Sequence, residues 1–312
     1  MINLTHPRPA DRNRAALTDL VAGTLRASGT VEQALSSAGQ ADDVDQARTA
    51  AWTELLADRK IGYMALLKNL RNIEQQAPEL IAVACDLLTD EKLVRGSLVL
   101  PFRYLTAIKA VHDRRLISAL SRAVDVSLAN VPVLDGRTLI AVDHSGSMNA
   151  PVAGGELPRQ LVGDLFAAAL VKSSDADVMV FGDDAAYVQG LNPDDSTITV
   201  TRQIGSQFRG HGTNFHAIFA QARTKYDRIV IFSDMQAWVG YQHPGEALAE
   251  YSRRVGTRPY LYSVDLAGYG TMQFPQPQVC ALAGFSDKLL SMMGKVETDP
   301  NALVRAIDAV KL

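Results

Sequence analysis

The first 130 residues carry apolar side chains at three- and four-residue intervals, the spacing of a buried stripe along a helix. Residues 14–28, 42–58, 61–75, 78–88 and 100–124 each predict a helix, with short linkers between them. Pro78 and Pro101 stand where helices would begin, a position at which the missing proline N–H breaks no intrahelical bond. Sequential helices of this kind form a small bundle or a stack of helical pairs, and no internal repeat chooses between the two.

Beyond "NVPVLDG" (Asn130–Gly136) the period changes. Apolar β-type runs appear at "TLIAVD", "ADVMVFG", "RIVIFSD" and "RPYLYSVDL", separated by helical patterns such as "LPRQLVGDLFAAALVKS" and "FHAIFAQARTK". Continuous apolar strands alternating with helices predict a mostly parallel sheet covered on both faces. The expected architecture is therefore α followed by α/β: a helical segment over 1–130, then a doubly wound, Rossmann-like domain over 131–312. In such sheets ligands sit beyond the carboxyl ends of the strands. Both "VDHSGS" and "FSDMQ" fall there.

The first of these motifs places Asp143, Ser145 and Ser147 at alternating positions in a tight loop containing Gly146. One carboxylate and two hydroxyls from a single loop suit a hard divalent cation. Thr213, in the glycine-flanked "RGHGTNF", and Asp234, at the end of "RIVIFSD", are the further oxygen donors expected to converge on it. The plainer alternative is helix capping, since Asp, Ser and Thr commonly occupy N-caps. Hydrolysis is a weaker reading, because a nucleophile elbow would read Gly-x-Ser-x-Gly and position 143 is Asp. His144 is expected to point away from the metal or to touch a partner.

Composition adds bounds. At 47% hydrophobic and 21% charged, the chain is of ordinary globular type. No apolar run approaches the roughly 20 residues that span a bilayer, and "MINLTHPRPADRNR" lacks the apolar stretch of a secretory signal. Cys85 and Cys280 each lie inside an apolar run and read as small buried side chains in a reducing cytoplasm. The net charge of −3 argues against general polyanion binding, yet residues 1–130 hold 16 Lys+Arg against 15 Asp+Glu. Between Arg95 and Arg122 six basic residues face one acid, Asp113. That excess is the candidate footprint for an anionic partner.

The series Asp143-x-Ser145-x-Ser147, then Thr213, then Asp234 resembles the metal-ion-dependent adhesion site of von Willebrand factor A domains. The resemblance implies a divalent cation, Mg²⁺ before Mn²⁺ or Ca²⁺, with an open position that a partner's carboxylate fills. It implies recognition, not turnover. "RKIGYMALLKNLRNI" (Arg59–Ile73) and "LVLPFRYLTAIKAV" (Leu98–Val111) look like signature segments of the TROVE module. The tail Val279–Ile307 looks like the C-terminal stretch of the Ro RNA-binding family, in which a TROVE module precedes an A domain. That family implies a ring of HEAT-like helical repeats closed by the A domain. It also implies binding of structured noncoding RNA, of Y type or misfolded, and partnership with an RNA-processing nuclease. Only about 130 residues precede the A domain here, about three helical pairs at roughly 40 residues each. A short member, a fragment, or a subunit that closes a ring by oligomerising all remain open. The rival expectation is a protein-interaction module with no RNA role.

Taken as one helix from Pro101 to Arg122, with about 100° per residue, the basic run puts Arg103 and Arg114 on one face. Arg115 and Arg122 flank them, and Phe102, Leu105, Leu116 and Leu120 cluster opposite. Such a face fits phosphate contacts, though a merely solvated basic face has the same pattern. Lys68 and Arg71 are further candidates beside the core-like Leu67 and Leu70. Trp52 is expected in a core; Trp238 is expected to pack or to rim the metal loop.

Overall fold

The computed structural model describes residues 31–97, 99, 101–128, 131, 133–152, 155–236, 243–274, 276, 279–284, 288–299, 301, 304, 305 and 308. The helix expected over 14–28 and Trp238 lie outside the described residues. The chain divides into two compact units, Met1–Val83 and Ala84–Leu312.

The first unit holds α1 (Val31–Ala38), α2 (Val44–Ala57) and α3 (Tyr63–Gln76), followed by a 3₁₀ turn at Pro78–Leu80. Asp43 caps α2 by accepting the Gln46 N–H at 3.1 Å. Trp52, Leu55 and Leu56 of α2 and Leu66, Leu67, Leu70 and Ile73 of α3 are buried at the expected helical spacing. Trp52 is in the core as expected, and its indole N–H finds a partner in Gln76 Oε1 at 3.1 Å. Lys68 and Arg71 stand on the exposed face of α3.

The division between units falls within α4 (Ile81–Thr89). The second unit continues through α5 (Glu91–Ser97), α6 (Pro101–Ala110) and α7 (Arg114–Leu128). The helix expected without interruption over 100–124 is thus two helices, broken at Val111–Asp113. Asp113 supplies the reason: its Oδ1 accepts the Arg115 N–H at 2.7 Å and its carbonyl accepts the Ile117 N–H at 3.0 Å. An aspartate doing this starts a new helix. On α7, Leu116, Ala119, Leu120, Ala123, Val124 and Leu128 form the buried stripe.

The sheet follows: β1 (Thr138–Asp143), β2 (Ala176–Phe181), β3 (Ala185–Tyr187), β4 (Arg228–Ser233), β5 (Tyr260–Asp265) and β6 (Val279–Ala283). Their order is β3-β2-β1-β4-β5-β6, with all neighbours parallel except the β2–β3 pair. Every residue of β1 is buried, as a central strand covered on both faces requires. Leu139 and Ala141 face α10 (Phe215–Gln221) and α11 (Pro244–Val255) in a core that includes Phe181, Phe219, Ile231 and Phe274. The alternate face, with Val142 and Phe232, meets α8 (Arg159–Ser173), where Phe166 stacks on Phe232 at 5.7 Å. Gly163 allows that approach: a Cβ there would lie 3.0 Å from the Val142 side chain. Two further helices complete the unit, α9 (Thr197–Gly205) and α12 (Lys288–Thr298). Among the described residues no helix is long and apolar enough to cross a membrane. Both cysteines are unpaired, and both are half-buried rather than buried as expected.

Candidate metal centre and basic surface

The strand order places β2 and β4 on either side of β1, so their connections leave in opposite directions and a crevice opens at the carboxyl ends of β1 and β4. Asp143 ends β1 and Asp234 immediately follows β4; both are fully buried. The two acids are coupled through Ser233, whose hydroxyl donates to Asp143 Oδ2 at 2.6 Å and whose Oγ accepts the Met235 N–H at 3.0 Å. Met235 itself is left-handed, with φ of 58°, a conformation uncommon for a non-glycine residue. It is held there by Ser263, whose hydroxyl donates to its sulfur, and by Gln273, which donates to its carbonyl at 2.7 Å. This strained turn sets the direction in which the chain leaves Asp234.

The β1 loop folds back on Asp143, whose Oδ1 accepts the Ser145 N–H at 2.8 Å. Ser145 and Ser147 bring their hydroxyl oxygens to 3.3 Å of each other. The Thr213 loop is tied to the same place, since the Gly146 N–H donates to the His211 carbonyl at 3.0 Å. Gly182 allows that loop to run close, because a Cβ on it would meet the Arg209 carbonyl oxygen at 2.4 Å.

Capping does not account for these hydroxyls. The cap of α10 is Asn214, whose side chain accepts the Ala217 N–H at 3.3 Å, and the Thr213 hydroxyl makes no hydrogen bond to any described residue. Ser145 precedes the 3₁₀ turn Gly146–Asn149 without a side-chain capping bond. Two buried carboxylates and the Ser145 and Ser147 hydroxyls thus stand at one crevice, with the Thr213 loop tied to it through the bond between Gly146 and His211. Among the described residues no three His, Cys, Asp or Glu side chains gather, so a cation here would depend on the hydroxyls. That mixed set of hard oxygens fits a magnesium-class ion. Burial pushes the Asp143 carboxyl up to about 6, against hydrogen bonds from Ser233 and Ser145 that lower it, while the nearby Asp234 charge adds to the rise. A cation beside it would relieve that penalty.

Arg159, at the start of α8, was not foreseen from the sequence. Its guanidinium lies 3.2 Å from Asp234 Oδ2 and 3.4 Å from the Ser147 carbonyl, bridging both loops. It also donates to the Tyr269 hydroxyl at 3.1 Å, over whose ring it stands, and its buried Nε has no acceptor among the described residues. Tyr269 is exposed, as is Phe208, which packs edge-on against His211. Of the two places expected for His144, the structure takes the one turned inward: it is buried, bonded to Asp164 of α8 at 2.8 Å and to the Gln207 carbonyl at 2.7 Å. Burial works to lower the imidazole pKa, but Asp164, the Gln207 carbonyl and the Asp143 charge together outweigh it and raise the pKa overall. His144 thereby anchors the loop.

The break between α6 and α7 divides the arginines that the single-helix geometry had put together. Arg103 is exposed on α6 over the Phe102 ring at 4.9 Å. Arg115 is taken by Asp113, with guanidinium–carboxylate distances of 2.8–3.3 Å, which holds that carboxyl down at about 2. Arg114 and Arg122 are exposed on α7, and no described residue pairs with either.

Two family models match the chain: the TROVE domain over residues 21–149 and the Ro60 vWA domain over residues 137–295. The RNA-binding protein RO60 of Deinococcus radiodurans is 31% identical over 157 residues, covering 49% of this chain. The match spans only 29% of that protein's length. The crystal structure of the Deinococcus radiodurans RO (RSR) protein superposes with a TM-score of 0.61 and 21% identity, covering 94% of this chain and 70% of that one. This agrees with the expected fold, helices followed by a mostly parallel sheet. Proximal thread matrix protein 1 from the mussel byssus, with a zinc-occupied MIDAS motif, reaches a TM-score of 0.36 at 16% identity, covering 61% of this chain and 51% of that one. A likeness so low carries no inference.

Proposed function

The chain belongs to the Ro family, a TROVE domain followed by a Ro60-type von Willebrand factor A domain, and from that premise we propose that it binds structured noncoding RNA in the cytoplasm. The observation that supports this most is the pair of exposed guanidiniums of Arg114 and Arg122, which no described residue pairs with, joined by Arg103. Guanidinium groups without an acid are what phosphate contacts need, and such contacts supply affinity without reading sequence. Lys68 and Arg71, exposed on α3, are secondary candidates, and Arg115 joins when Asp113 releases it. Y-type or misfolded RNA is the ligand class, and no bond-making chemistry is assigned to the chain.

Asp143, Ser145, Ser147, Thr213 and Asp234 are the residues proposed to hold a divalent cation, Mg²⁺ first. The cation would supply Lewis acidity toward an acidic oxygen of a partner such as an RNA-processing nuclease. The protein's own share is to bury the two carboxylates, hold the hydroxyls ready, and fix the loops through Arg159 and His144.

Fluorescence anisotropy of a stem-loop RNA with a single-stranded tail, titrated at two salt concentrations, tests the RNA reading. Salt-sensitive binding sustains it. No binding at the lower salt removes it and leaves a protein-interaction module whose partner acid completes the metal shell. Calorimetry with Mg²⁺ or Mn²⁺ tests the metal reading, since Asp143→Ala and Asp234→Ala should each abolish the heat of binding. Intact binding in both variants would overturn the site.

A further inference from the structure

Between α7 and α9 lies a groove of about 370 Å³, lined by Arg114, Ser118, Ser121, Arg122 and Asp125 from one side and by Arg202 of α9 from the other. Arg202 had no signal in the sequence: it sits in a segment with no basic run and becomes part of the surface only when α9 folds beside α7. On α7, positions 114, 118, 121, 122 and 125 follow the three- and four-residue spacing of one helix stripe, so this face of α7 is the groove wall.

The charge in the groove is uncompensated. Arg114, Arg122 and Arg202 are all exposed, and none of their guanidiniums makes a hydrogen bond or ion pair with a described residue. The acid of the lining is Asp125, and it is already engaged. Its Oδ1 accepts the Thr197 N–H at 2.9 Å and the Thr197 hydroxyl at 2.5 Å, with Lys172 at 3.9 Å. Arg137 and Arg228, by contrast, are matched with Asp177 and Glu297. Three like charges around one concavity repel one another. Ser118 and Ser121, whose hydroxyls also lack partners among the described residues, add donors suited to phosphate oxygens.

The shape favours a chain over a compact anion. Arg202 also lines a second groove of about 380 Å³, with Asn149, Gln160, Gly205, Ser206 and the buried Asp164, whose carboxylate is bonded to His144. Arg202 is common to both grooves, and the second extends to Asn149 and Gln160, the neighbours in sequence of Met148 and Arg159 in the metal loops. Along α7 alone, Arg114 and Arg122 are about 12 Å apart by helical rise, so they stand along the groove rather than at one point of it.

We propose that the groove between α7 and α9 is a backbone track for an RNA strand, with Arg114, Arg122 and Arg202 as its phosphate contacts. The assignment rests on the RNA-binding reading above and adds the surface that carries it. The test uses the full chain and the tailed stem-loop RNA, with affinity measured across a salt series. Arg122→Gln with Arg202→Gln is compared with a charge-matched pair on α11 and just after it, Arg253→Gln with Arg258→Gln. Circular dichroism checks that both variants melt as the parent does. Loss of two phosphate contacts should lower the slope of log affinity against log salt by about 1.4–1.8, and the control pair should keep the parental slope.

A parent that binds RNA, with the same slope in both pairs and in the parent, overturns the groove and leaves the RNA reading standing. Equal slope losses in both pairs also overturn it, because the contacts would then be non-specific. A parent that binds no RNA at the lowest salt overturns the RNA reading itself, and the track falls with it. If a polyglutamate peptide binds the parent and fails only with Arg122→Gln and Arg202→Gln while RNA is unaffected, the groove belongs to an acidic protein segment and the assignment is wrong.

Discussion

Replacing Asp143 by asparagine should make the metal-free protein more stable while removing its response to Mg²⁺. The carboxyl rises from 3.8 to about 6 on folding. At 1.36 kcal/mol per pH unit, a shift of that size disfavours the folded carboxylate by about 3 kcal/mol. The sign follows from linkage. Below about pH 4 the group is protonated in both folded and unfolded chains and contributes nothing; as pH rises through about 6 the folded protein acquires the disfavoured charge. Metal-free stability therefore falls across that window, and the full penalty stands at pH 7. Asparagine keeps the shape but weakens one of the bonds to Ser145 N–H or Ser233 Oγ, a loss of about 1 kcal/mol. The net gain is about 2 kcal/mol, or roughly 4–8 °C in a domain of this size. Scanning calorimetry in EDTA at pH 4 and pH 7 reads it: a gain at pH 7 and none at pH 4. Saturating Mg²⁺ should then raise the parent, by about 2.7 kcal/mol at a hundredfold excess over Kd, and leave Asp143→Asn unmoved. A variant that is less stable than the parent in EDTA at pH 7 would refute the reasoning, as would an equal Mg²⁺ response in both proteins.

Three other perturbations give separate outcomes. Glu297→Ala leaves the Arg228 guanidinium, 3% exposed and bonded also to Thr138 and the Asp135 carbonyl, without its counter-charge. The expected loss in urea titration is about 3–5 kcal/mol, whereas pairing Glu297→Leu with Arg228→Met should recover most of it. Asp113→Ala removes the cap of α7, at a stability loss of about 1 kcal/mol, and frees Arg115. In anisotropy the same variant should bind RNA more tightly, with a salt slope steeper by about 0.7–0.9. Gly182→Ala forces a Cβ against the Arg209 carbonyl and so moves the loop that carries Thr213; calorimetry should show weakened Mg²⁺ binding with the melting of the α/β unit less affected.

The α/β half was legible because its signals are local. Four apolar runs gave β1, β2, β4 and β5, and the donors at their ends followed from knowing where strands stop. β3 was missed: three residues, paired antiparallel to β2 at the sheet edge, carry too little pattern. The break before α7 had a visible signal in Asp113, a capping residue inside an otherwise continuous apolar period. Periodicity alone ran the helix through it and so misplaced the arginines relative to one another. Arg159, Ser233, His144 with Asp164, and Arg202 could not be read in advance. Each acquires its role from a partner 20 to 90 positions away or from a facing helix. The capping alternative for Thr213 was undecidable in sequence for a related reason, since its neighbour Asn214 is an equally good cap and only the geometry assigns the task.

The proposed reading gives this chain two sources of positive charge that respond to different agents. The arginine track is fixed by the side chains, and its strength depends on ionic strength through the counterions it displaces. The metal charge is removable, and its strength depends on chelation. If the two are separate surfaces, EDTA should leave both the affinity for RNA and its salt slope unchanged, while Arg122→Gln with Arg202→Gln leaves the Mg²⁺ affinity unchanged. Any partner bound through a carboxylate should show the reverse, losing its affinity in EDTA and tolerating the arginine changes. Arg202 is common to both grooves and the second extends to Asn149, however, so a strand long enough to follow both would arrive beside the metal loops. An RNA tail lengthened stepwise distinguishes the cases. With short tails EDTA should have no effect; a loss of affinity in EDTA that appears only beyond a threshold length would mean that the strand reaches the cation, and the two sites would then act as one surface.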